Sequence, residues 1–238
     1  MATLSELQTA FNGKTLDLSR DEANKKWILH FNPTSDYTLA TLGNGTGKLL
    51  FRVVHHGSAT DWVFCIRVQR DDADAAKKEL RTEMEILQRL GKAGVPVPGP
   101  FREGQPPHFV SCEVTNFDDE DPKPKKSWGF FLQFTDMQRG SGRFVEMKKV
   151  ENPTTADRGQ WLRMTMETEN PGPELKERTK RSLGRIREAW KAEQWGDFQA
   201  AYDRETGELM VFDPYDVLSN ADQTTSILEE WAKYLESC

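Results

Sequence analysis

Two carboxylates, Asp197 and Asp213, stand sixteen positions apart on either side of a charged turn, Asp203-Arg204-Glu205-Thr206-Gly207. Ala200-Ala201-Tyr202 and Glu208 to Phe212 flank that turn. The pattern predicts a β-hairpin with one carboxylate at its entry and one at its exit. Phosphoryl transfer needs such a pair: one carboxylate orients and deprotonates an acceptor hydroxyl, and the other holds the metal that bridges nucleotide phosphates. The competing reading is a surface hairpin bearing two unrelated aspartates.

A second candidate cluster lies upstream. Strands are predicted at Tyr37 to Leu42, Leu49 to His55 and Trp62 to Val68, from their β-branched and aromatic content. The first pair is joined by Gly43-Asn44-Gly45-Thr46-Gly47, whose glycines would let backbone N–H groups approach an anion closely. No Lys-Ser or Lys-Thr follows a final Gly there, so the turn is not a Walker loop. Arg67 ends the third strand on the same face as Cys65. The helix predicted from Asp71 to Leu90 places Ala76, Leu80, Met84 and Leu87 in one apolar stripe, with Glu79 and Glu83 beside it. A helix packed on the sheet would aim Glu83 at Arg67; the alternative is a solvated acidic face.

The remaining elements must position these groups. Leu4, Leu7 and Phe11 predict a short helix, and Ser19-Arg20-Asp21-Glu22 reads as a capping box opening a second helix through about Ile28. Residues 1–36 are therefore expected to be a helical arm. Phe109 to Val114 and Trp128 to Phe134 predict two further strands, separated by a loop over 116–126 rich in charge and proline. Helices follow over Ala156 to Thr168, Glu174 to Lys191 and Gln223 to Leu235. Lys176, Arg178, Lys180, Arg181, Arg185 and Arg187 give the second of these a basic flank, read as solvated.

The chain has 238 residues and a net charge of -6, which argues against a nucleic-acid partner. Cys65, Cys112 and Cys238 are odd in number and widely spaced, which fits neither zinc nor a disulfide framework and suits a reducing compartment. No run of eighteen apolar residues would span a membrane, and Met1 to Gly13 lacks the features of a secretory signal peptide. A cytoplasmic protein, or one delivered into a host cytosol, is expected.

Three strands with a Gly-rich turn, a cation on the third, an acidic helix, two more strands and then two aspartates form an ordered series. In that order the chain resembles the protein-kinase superfamily, and within it the minimal kinase-like effectors and toxins of bacterial secretion systems. The resemblance covers residues 37–235. It implies an α+β, bilobal fold, with an antiparallel-sheet N-lobe at 37–136 and a reduced helical C-lobe at 137–238. It implies ATP covered by Gly43, Gly45 and Gly47, with Arg67 on the α/β-phosphates and Glu83, or Glu79 one turn back, as its partner. Asp197 would be the catalytic base, Asp213 the Mg2+ ligand, and Gln199 a metal or phosphate contact. Arg stands where most of the family has Lys, Trp195-Gly196-Asp197 replaces His-Arg-Asp, and neither Asp-Phe-Gly nor an activation segment is present. The resemblance implies a monomeric protein kinase that modifies a host protein, such as a chaperone or signalling protein. A small-molecule phosphotransferase of the aminoglycoside-kinase type and a pseudokinase binding module stay open as alternatives.

Overall fold

The structure, a computed structural model, describes residues 3–21, 26–29, 36–44, 48–68, 73–98, 109–115, 124–133, 143–147, 155–192, 197–215 and 221–238. The described elements make an α+β protein. The chain divides into two compact units, Met1–Arg81 with Gly104–Thr135, and Thr82–Glu103 with Asp136–Cys238.

The first unit is built on a seven-stranded sheet. Its strands are β1 (Lys14–Asp21), β2 (Lys26–Leu29), β3 (Tyr37–Asn44), β4 (Lys48–His55), β5 (Ser58–Arg67), β6 (Val110–Thr115) and β7 (Lys125–Gln133), in the order β2-β1-β6-β7-β5-β4-β3. Helix α1 (Leu4–Phe11) precedes them, and α2 (Ala73–Lys92) lies between β5 and β6 in sequence. Thr3 caps α1 reciprocally: its hydroxyl accepts from the Glu6 N–H, and its own N–H donates to the Glu6 carboxylate at 2.8 Å. Leu7 and Phe11 of α1 are buried with Leu16, Leu18, Leu49, Phe51, Phe64, Ile66 and Phe131, one apolar face of the sheet. Phe11 meets the Phe64 and Phe131 rings at centroid distances of 5.4 and 5.5 Å.

Two expectations are corrected here. The helix read from Ser19 to Ile28 is replaced by strands β1 and β2, which pair antiparallel with Ser19 opposite Ile28. Leu16 and Leu18 alternate with polar neighbours and are both fully buried, so period-two burial overrides a capping-box match that is only local. The sheet is also mixed rather than antiparallel, because β1 pairs parallel with β6. Strands β2 and β3, at opposite edges, approach each other, so the sheet curls. In the β4–β5 turn, His56 (φ 46) and Gly57 (φ 79) alone connect His55 to Ser58. Positive φ at both positions is the two-residue hairpin geometry that suits the twist of the flanking strands.

The second unit pairs β8 (Phe144–Glu146), β9 (Asp197–Asp203) and β10 (Leu209–Tyr215) in the order β10-β9-β8, all antiparallel. With them are α3 (Thr155–Glu169), α4 (Pro173–Ala192) and α5 (Ala221–Glu236). Trp161, Leu162, Leu183, Ile186, Trp190, Phe198, Tyr202, Leu209, Val211 and Trp231 form its core, together with Ile86 and Leu90 of α2. Among the described residues no helix is long and apolar enough to cross a membrane.

Candidate functional site

The predicted hairpin forms. Leu209 lies opposite Tyr202, Val211 opposite Ala200 and Phe212 opposite Gln199. Phe198, Ala200 and Tyr202 alternate into the core, as the two-residue period of a half-buried strand requires. The register then shifts, and Tyr215 lies opposite Asp197. The irregularity falls at Asp213-Pro214, where proline has no N–H to give a ladder and a bulge removes the need for one. Asp197, Gln199 and Asp213 thus share the open end of one two-stranded ribbon. The side chains of Asp197 and Asp213, and residues 193–196 with the Trp-Gly pair, lie outside the described residues. Gln199 is half-buried, and its side of β9 faces away from the core residues Phe198 and Ala200.

The closed end of the ribbon is anchored in detail. Asp203 is 5% exposed and accepts from Arg143 Nε at 3.1 Å and from an Arg143 terminal nitrogen at 2.9 Å. It also accepts from the Thr206 hydroxyl at 2.8 Å and the Glu205 N–H at 2.9 Å. Burial by itself would raise the Asp203 pKa. The Arg143 guanidinium, the Thr206 hydroxyl and the two turn N–H groups outweigh burial and hold the carboxyl below its ordinary value. Gly207 (φ 73) closes the turn, its N–H donating to the Asp203 carbonyl at 2.7 Å. Helix α4 reads the same turn: the Thr179 hydroxyl donates to the Gly207 carbonyl at 2.8 Å, and the Leu209 N–H donates to the Ser182 hydroxyl at 3.0 Å. Arg185 pairs with Glu208 at 2.5 Å. The charged turn read from sequence is therefore the fixed end of the hairpin. Its legible signal is an Asp followed three residues later by Thr-Gly, a side chain folding back on its own turn.

In the other unit, Arg67 closes β5 with its side chain 14% exposed, and its Nε lies 2.5 Å from Glu79 Oε2. Of the two acidic candidates on α2, Glu79 is the one seen on Arg67. Glu83 is buried at 6% exposure one turn further along the helix. Gly43 lies on β3 opposite Leu50, just past a register irregularity; Gly45 and Gly47 fall outside the described residues.

The chemistry on view is thus an arginine at the end of β5 with a glutamate from α2 in one unit, and in the other Gln199 at the open end of a braced hairpin whose backbone also carries Asp197 and Asp213. Among the described residues no three His, Cys, Asp or Glu side chains converge as a metal centre, a description that does not extend to the carboxylates of Asp197 and Asp213. Cys65 and Cys112 are buried thiols, and burial pushes the Cys112 pKa well above its ordinary value, so Cys112 is no nucleophile. No protein-family model matches the chain, and no curated protein matches it.

Proposed function

We propose that the chain is an ATP- and Mg2+-dependent phosphotransferase acting on a hydroxyl of a protein substrate. The observation that carries this reading is the hairpin: Asp197 and Asp213 occupy the same open end of β9 and β10, while the other end is clamped by Asp203. A rigid ribbon with both aspartates at its free end suits a reaction that depends on positioning and charge rather than on covalent chemistry by the enzyme.

Asp197 accepts the proton of a Ser, Thr or Tyr hydroxyl as its oxygen bonds to the γ-phosphorus. The bond from that phosphorus to the β–γ bridging oxygen breaks, and ADP leaves with the electron pair. In the first unit, Arg67 offers a guanidinium suited to phosphate oxygens, and Glu79 holds it in place from α2. Mg2+ takes hard oxygen donors, and the Asp213 carboxylate and Gln199 amide oxygen would supply them. The ion would neutralise charge on the phosphates there. The series of elements that motivated the kinase resemblance is present in order: a three-strand run, α2, two strands, then the hairpin. A host protein reached by an exported effector is the substrate class this reading implies.

Asp213→Ala removes the proposed metal ligand from the end of β10. Transfer of labelled phosphate from ATP to the chain itself or to a eukaryotic lysate should vanish, with the thermal midpoint close to that of the wild type. Label transfer undiminished in Asp213→Ala would overturn the assignment.

A further inference from the structure

Two basic side chains face each other directly on the first unit's sheet. Lys48, the first residue of β4, lies opposite Arg67, the last residue of β5. Arg67 in turn lies opposite Trp128 of β7, and Trp128 opposite Ser111 of β6. Residues directly opposite in antiparallel strands project from the same face, so Lys48, Arg67, Trp128 and Ser111 form one row across four strands. Helix α2 covers part of the row. Glu79 meets Arg67, and the Lys77 ammonium lies 3.8 Å from the centroid of the Trp128 ring. The Lys126 ammonium approaches the same ring at 5.2 Å, and Glu113 stands opposite Lys126.

Like charges directly opposite in a sheet destabilise it. The pairing of Lys48 with Arg67 is also not what the turn alone dictates. Counting back from His55 opposite Ser58 would set Lys48 against Cys65; the irregularity between Arg52 and Val54 shifts the register by two and brings Arg67 there. Lys48 also ends the Gly43 to Gly47 turn in sequence, so a glycine-rich turn and two cations occur within one hairpin end.

We propose that Lys48 is a second phosphate-contacting residue, set beside Arg67 so that the pair grips adjacent phosphates of a polyphosphate chain. Neighbouring strands lie about 4.8 Å apart, close enough for two long basic side chains rooted on them to reach one oligophosphate. The polyphosphate of a nucleoside triphosphate is the ligand, which rests on the phosphotransferase reading above.

The test is calorimetry on the full chain, wild type against Lys48→Gln and Lys48→Arg, with three probes: Mg·ATP, tripolyphosphate and adenosine. Losing one charge-assisted contact should weaken Mg·ATP and tripolyphosphate binding by about tenfold in Lys48→Gln, with Lys48→Arg near wild type and adenosine unaffected. Thermal melts of the three proteins should coincide. If Lys48→Gln binds Mg·ATP as the wild type does, the role of Lys48 is overturned while the phosphotransferase reading stands. If the wild type binds tripolyphosphate but not Mg·ATP, and Lys48→Gln loses that binding, the cation pair stands as a phosphate site and the nucleotide reading falls. If the wild type binds neither, both fall.

Discussion

Arg143–Asp203 and Arg67–Glu79 are both arginine–carboxylate pairs with a largely buried member, yet their surroundings differ. Around Asp203 every partner serves the turn: one guanidinium, one hydroxyl and two backbone N–H groups converge on a single carboxylate, and all belong to the hairpin or the strand beside it. Arg67 instead sits in a row that begins with Lys48, beside a tryptophan flanked by Lys77 and Lys126. The first pair closes on itself and stabilises a fold. The second lies in a row where two cations stand side by side, an arrangement suited to an anionic ligand.

Breaking each pair should therefore have opposite signatures. Arg67→Gln should weaken tripolyphosphate binding by about tenfold, the scale of losing one charge-assisted contact, and lower the urea midpoint only modestly, because Glu79 keeps about a third of its side chain in solvent. Asp203→Asn should weight the two effects the other way. Losing the Asp203 charge, with Glu205 still beside Arg143, should cost about 2 kcal/mol of stability by urea unfolding at neutral pH. Because the folded-state pKa of Asp203 is depressed, its charge contributes fully above the ordinary aspartate pKa and is lost as pH falls through the lower folded value. The stability gap between wild type and Asp203→Asn should thus shrink below about pH 4, and a gap that widens in acid would contradict the account.

Gly207→Ala sharpens the comparison at the same turn with a comparable effect. Its Cβ would lie 2.6 Å from the Leu175 carbonyl oxygen, on a backbone with φ +73. About 2 kcal/mol should be lost, again read by urea unfolding, from strain and from loosening the α4 contact. A Gly207→Ala chain as stable as wild type would mean that α4 does not clamp the turn.

The elements that surround the candidate groups were largely legible in the sequence. Helix α2 and the β9–β10 hairpin carry clear apolar periods, of about 3.6 and of 2, and both formed where those periods predicted. Strand β1 was missed because a four-residue capping motif outweighed a short alternation of only two leucines, and because its parallel partner β6 lies about a hundred residues away. Distance in sequence also hid Arg143, sixty positions before Asp203. The pairing of Arg67 with Glu79 depends on how α2 sits over β5, which no local pattern encodes. Lys48 was hidden by the bulge at Arg52 to Val54, since the turn residues alone give the wrong register.

Incubating the purified chain with γ-labelled ATP, Mg2+ and a mixture of eukaryotic proteins tests the phosphotransferase assignment most directly. The account predicts label in one or a few proteins, lost together in Asp197→Asn and Asp213→Ala chains that melt like the wild type. Label that appears equally with those variants, or a folded wild type that binds Mg·ATP and transfers nothing, would contradict it.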